Sequence, residues 1–156
     1  MSKGTAVTGW YFHTGFNLIA SSLIGGIVCL NYGEAVFYPL FIAMVFGTIF
    51  MNPDIDSNRS RTYRAWFILR WYWYPYARFM SHSGRSYFPL EVRRGIGHNL
   101  FIGTAIRILY ASPLFVGINE MVNLNLNNWL MICFGIWLAD ALHILVDYLF
   151  HKNSRG

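Results

Sequence analysis

Residues 129–150 read WLMICFGIWLADALHILVDYLF. At about 1.5 Å of rise per residue, a helix of that length covers the roughly 30 Å hydrocarbon core of a bilayer. The run has no Lys, Arg or Pro, and its acidic and imidazole side chains are Asp140, His143 and Asp147. At ~100° per residue these three project within about 60° of one another. One stripe of an otherwise apolar rod thus carries all of them. Ionisable groups in such a rod are costly, so the stripe should face a bundle interior and serve a function.

Three more apolar runs lie upstream: Trp10–Leu30, the shorter Ala35–Met51, and His98–Val122, which contains Arg107. The spans expected are therefore about 10–30, 35–51, 98–122 and 129–150. Of the 156 residues, 55% are hydrophobic, 19% aromatic and only 12% charged, against about 25% charged in soluble domains. A buried soluble bundle is the alternative, but none of the four runs has a polar outer face. Glycines 15, 25, 26, 47, 103, 117 and 135 suit close helix packing in lipid. Cys29 and Cys133 lie inside apolar runs and read as small buried hydrophobes, not a disulfide. No removable signal peptide is evident at the start. Residues 1–156 read as one all-α membrane domain: a four-helix transmembrane bundle, with an aromatic-rich interfacial insert, residues 52–97, between helices two and three.

The short connections Asn31–Glu34 and Asn123–Asn128 make neighbouring runs antiparallel. In an up-down-up-down order, Lys3, the insert arginines 59, 61, 64, 70, 78, 85, 93 and 94, Lys152 and Arg155 share one side, while the opposite loops carry only Glu34 and Glu120. That asymmetry makes the basic side cytoplasmic, with both termini there, in a multi-pass protein of the inner (cytoplasmic) membrane. The net charge of +5 is then accounted for by topology and anionic headgroups, with no specific nucleic acid required. Residues 66–79, WFILRWYWYPYARF, interleave Trp and Tyr with Arg, as headgroup-level segments do. The stretch reads as lying on the membrane, helical before Pro75. A stacking surface for bases is the other reading.

Alternation also gathers the chemistry. The start of run one (His13), the exit of run two (Asp54 and Asp56 in Asn-Pro-Asp-Ile-Asp), the insert's His82, the start of run three (His98) and the end of run four (His143, Asp147) meet on the basic side. Imidazole and carboxylate without thiolate suit zinc, manganese or iron, and several carboxylates leave room for one to three ions, as in phosphoester hydrolysis. Bland readings stand beside each residue. His13 is also a plausible interfacial anchor, Asp54 and Asp56 a helix cap and turn, and His151 a solvated terminal residue. Asp140 is read as the partner of Arg107, not as a ligand.

Pro53-Asp54-Ile55-Asp56, Tyr63-Arg64-Ala65-Trp66 and Leu69-Arg70-Trp71-Tyr72-Trp73-Tyr74-Pro75-Tyr76 resemble a family of uncharacterised, metal-binding bacterial membrane proteins. His98-Asn99-Leu100-Phe101-Ile102-Gly103-Thr104, then Arg107 and Leu109-Tyr110, resemble its next block, and His143 and Asp147 its closing pair. The order of ligands is similar to that of the inner-membrane metal-dependent hydrolases regulated with the SOS response, and distantly to zinc-dependent phospholipase C and single-strand-specific nucleases. That family keeps two histidines close together, whereas sixteen positions separate His82 from His98 here. The resemblance implies a metal set of His13, Asp54, Asp56, His82, His98, His143 and Asp147. Asp54 and Asp56 are the catalytic candidates, and Arg85 and Arg94 the contacts to a phosphoester or lipid substrate. A non-catalytic accessory subunit stapled by metal is the competing expectation, and a small transporter or channel a third. The bilayer is the expected partner, with a homo-oligomer or larger membrane complex as the expected assembly.

Overall fold

The computed structural model describes residues 4–56, 60–82 and 99–151, with residues 4–10, 56, 81, 82, 122, 150 and 151 described by backbone alone. The described chain is helical: α1 (Gly4–Tyr32), α2 (Glu34–Phe50), α3 (Arg61–Ala65), α4 (Arg70–His82), α5 (Ile102–Val122) and α6 (Leu126–His151). Short 3-10 turns, Pro53–Asp56 and Phe67–Leu69, flank α3. Three helical segments are long and apolar enough to cross a membrane: Tyr11–Tyr32, Ile102–Met121 and Leu126–Leu149. The second expected span is a shorter apolar helix, Glu34–Phe50. Its 17 residues reach only about 25 Å.

The turns follow from residue chemistry. Gly33 alone joins α1 to α2, at φ 80°, a conformation open to glycine at no steric cost. Between α5 and α6, Asn123 takes φ 51°, the left-handed conformation that asparagine tolerates at a helix C-terminus. Asn119 Oδ1 accepts from Leu124 N and Trp129 Nε1, and Asn125 Oδ1 accepts from Asn128 N, capping α6. At the other end of α5, Asn99 Oδ1 accepts from the amides of Phe101 and Ile102.

Helices α1, α2 and α6 pack together, α2 against α6 most extensively. The seam is made of small residues. A Cβ at Gly135 would lie 2.7 Å from Leu40 O and 2.8 Å from Ala43 Cβ, and one at Gly47 3.0 Å from Ala139 Cβ. Nothing lies within 4 Å of a Cβ at Gly15, Gly26 or Gly117, so the glycines divide into those that admit a neighbouring helix and those that do not. Gly135→Ala is therefore expected to destabilise the fold by about 1–3 kcal/mol, since a backbone oxygen must move. Gly26→Ala should be neutral or better, because alanine favours the helix. Thermal midpoints of the two purified variants test the difference.

Helix α5 stands off from this trio, with the aromatic insert wedged against it. Trp73, Tyr76, Ala77 and Met80 form the buried face of α4, the i, i+3, i+4, i+7 stripe of a core-facing helix. Trp73 is fully buried among Trp66, Tyr76 and Tyr110, at centroid separations of 5.3, 5.5 and 5.4 Å. Tyr72 and Tyr110 each donate a hydroxyl hydrogen bond to the other's backbone carbonyl, and Trp66 Nε1 donates to Phe50 O at 2.7 Å. Burial pushes the Tyr72 phenol above its ordinary pKa, which keeps the hydroxyl a donor. The sequence reading lays this stretch flat on a surface. The structure instead uses one face as core shared with Ala111 and Ile136, leaving Trp71, Tyr74 and Phe79 exposed. The helix also continues through Pro75. The carbonyl this proline leaves unbonded belongs to the exposed Trp71, where solvent can take it, and the buried aromatic face offsets the loss.

Candidate metal centre

Pro53 cannot extend α2, so the chain leaves the helix at Met51 and enters a 3-10 turn. Asn52, buried at 2% exposure, organises that exit. Its Nδ2 donates to Thr48 O at 2.9 Å, and its Oδ1 accepts from Asp54 N at 3.1 Å and Thr62 Oγ1 at 2.8 Å. One amide thus ties the end of α2, the acidic turn and α3 together, and it points Asp54 at α6.

Four predicted ligands converge there. His13 Nδ1 lies 3.5 Å from Asp147 Oδ1, and His143 Nε2 lies 3.7 Å from Asp54 Oδ2 and 3.8 Å from Asp147 Oδ2. The two imidazole centroids are 5.2 Å apart. One ligand atom from each of His13, His143 and Asp147 fits within 4.8 Å. These separations exceed ordinary N–H···O bonds of about 2.7–3.2 Å. They approach the ~3.4 Å edge of a tetrahedron built on ligand distances of about 2.1 Å. His13, His143 and Asp147 held at that spacing can share a divalent cation, with Asp54 beside His143. Side-chain exposure is 3–10% for His13, His143 and Asp147, but 33% for Asp54. The centre is therefore open on the Asp54 side.

The other predicted residues fall differently. Asp140 lies outside the donor group of His13, His143 and Asp147. Fully buried, it pairs with the equally buried Arg107 and accepts a hydrogen bond from Thr104 Oγ1. The backbone of Asp56 lies in the same turn as Asp54, and that of His82 ends α4. Their side chains, together with His98, Arg85 and Arg94, lie outside the described residues.

Two contributions were not read from the sequence. Asn52 is the first, and its only sequence signal is its place before Pro53. Asn52→Ala is expected to weaken metal binding about 10–100-fold, as loss of an outer-shell support does, while leaving the ligands in place. Titration of the purified variant with a metal indicator checks this. The second is Arg61, whose guanidinium sits 4.5 Å over the Tyr11 ring, two residues before His13 on α1. The aromatic face holds a cation beside the centre.

Comparisons agree with the metal reading. The family model described as an uncharacterised metal-binding protein, DUF2227, matches residues 11–124, a stretch that includes His13 and Asp54. An uncharacterised protein of Aquifex aeolicus is 26% identical over 136 residues, covering 70% of this chain and 87% of the relative. No solved structure matches. The two buried imidazoles, with carboxylates from α6 and from the turn after α2, thus sit in a chain that belongs to the DUF2227 family of uncharacterised metal-binding proteins.

Proposed function

We propose that this is a membrane-embedded, metal-dependent hydrolase acting on a phosphoester at the cytoplasmic face of the inner membrane, with zinc as the favoured ion and manganese or iron as alternatives. The observation that carries the reading is the buried His13, His143 and Asp147 cluster, whose ligand atoms lie within 4.8 Å of one another, with the more exposed Asp54 beside His143. Catalytic sites keep such an opening, whereas structural sites are closed. A bound divalent ion would supply Lewis acidity and lower the pKa of water. The protein's own groups do the rest. His13, His143 and Asp147 hold the ion from the buried side. Asp54, with Asp56 in the same turn, faces the substrate and accepts a proton. Arg61 contacts the phosphate beside Tyr11, with Arg85 and Arg94 as further contacts. The long apolar helices and the basic asymmetry of the loops support a bilayer setting.

Purified protein should carry stoichiometric metal and hydrolyse a generic phosphodiester. Arg61→Gln should raise KM at unchanged metal content. Metal-loaded protein inert toward phosphodiesters and phosphomonoesters would end the hydrolase reading. One observation favours a structural role instead: three of the four donors are at most one-tenth exposed. On that reading chelation lowers the unfolding midpoint, but no hydrolysis accompanies the metal.

A further inference from the structure

Directly beneath the metal centre lie four oxygens that have no hydrogen-bond partner among the described residues: Asn17 Oδ1, Ser21 Oγ, Thr48 Oγ1 and Asp140 Oδ1. All four residues are at most 1% exposed. They are neighbours. Asn17 and Ser21 continue the α1 stripe below His13 at successive i+4 steps, so each sits one turn from the next. Asn17 Nδ2 reaches Ala139 O at 3.5 Å, and Asp140 follows Ala139 in α6. Thr48 follows Gly47, whose α-carbon face packs on Ala139. One residue of α6 thus has polar oxygens from α1, α2 and α6 about it, one turn below His143.

A buried oxygen left without a donor costs free energy comparable to a lost hydrogen bond. Four together call for a ligand. Asn17 Oδ1 and Asp140 Oδ1 can only accept. The occupant must therefore donate hydrogen bonds or be a cation. Arg107, paired with Asp140, already supplies the local positive charge and opposes a second cation. Water meets the requirement, donating two hydrogen bonds to these acceptors and receiving from the two hydroxyls. Globular proteins hold about one such water per 27 residues, with about three bonds each.

We infer that the α1–α2–α6 core holds a hydrated polar compartment at the level of Ala139, on the side away from the Gly47 seam and reaching two helical turns into the bundle below His13. The inference stands on helix packing and holds whether or not the centre hydrolyses anything.

Water-edited solid-state NMR on the wild-type protein in liposomes tests it. Magnetisation from mobile water should build up at Ser21 and Thr48 Cβ at least about threefold faster than at Ile19 and Leu23, which bracket Ser21 in depth and lie 65% exposed on the outer face of α1. Build-up at the Ile19 and Leu23 rate overturns the compartment. The isosteric Thr48→Val gives an independent sign. A hydrated site loses a water partner, and the unfolding midpoint falls. A dry site sheds an unsatisfied hydroxyl, and the midpoint rises, which also overturns it.

Discussion

Replacing His143 with alanine is expected to lower metal affinity more than about 100-fold, since loss of an outer-shell support alone costs 10–100-fold. His143 Nε2 takes part in two of the three short donor separations, to Asp54 and to Asp147, and its ring faces His13 at 5.2 Å. Without it, the carboxylates of Asp54 and Asp147 lose the group between them, and α6 offers only one ligand. Elemental analysis of purified variant should find less than about a tenth of the wild-type metal, given that fall in affinity. Chelation gives a second readout. A ligand present at 1,000 times its Kd stabilises the native state by about 4 kcal/mol. Chelator should therefore lower the unfolding midpoint of wild-type protein and leave His143→Ala unmoved. Asp54→Asn, at the open edge, should lose metal less completely. His143→Ala protein with full metal content would show that His143 is not a ligand.

Much of this was readable from residues 129–150. The period of α6 puts Asp140, His143 and Asp147 on one side of an apolar rod, and that side is buried. Alternating helix directions bring His13 and the Asp54 turn to the same end, because direction depends only on counting apolar runs and short turns. What could not be read depends on side-chain volume and local turn chemistry. The sequence shows glycine at 26, 47 and 135 alike, but only packing decides that Gly47 and Gly135 meet α6 and α2 closely while Gly26 meets nothing. Trp66, Trp73 and Tyr76 have interfacial chemistry, yet their bulk fills the space between the end of α2 and Tyr110 of α5. Composition cannot say which side of an amphipathic aromatic helix will be core. Asn52 looks like one more polar residue beside a proline. Two of its hydrogen bonds are local, to Thr48 and Asp54, but the one from Thr62, ten residues away, exists only once α3 folds back.

Arg107→Met is expected to destabilise the protein by about 3–5 kcal/mol, the cost of leaving one member of a buried pair without its partner. Arg107 and Asp140 are both fully buried and joined side chain to side chain, with Thr104 Oγ1 bridging to the same carboxylate oxygen. Removing the guanidinium strands a carboxylate whose Oδ1 already has no donor among the described residues. Asp140→Leu should also be damaging, because it takes the carboxylate from a fully buried guanidinium. The double variant is the informative one. Replacing a buried ion pair with apolar groups of similar volume is often neutral, so Arg107→Met with Asp140→Leu should recover most of the loss. A double-mutant cycle should then give a coupling of about 2 kcal/mol or more. Metal content separates this structural role from ligation. If Asp140 serves only to hold α5 against α6, the double variant keeps its metal while each single variant unfolds early. If the double variant folds normally but loses metal, Asp140 belongs to the centre itself, and the division between ligating His143–Asp147 and structural Asp140 on α6 is wrong.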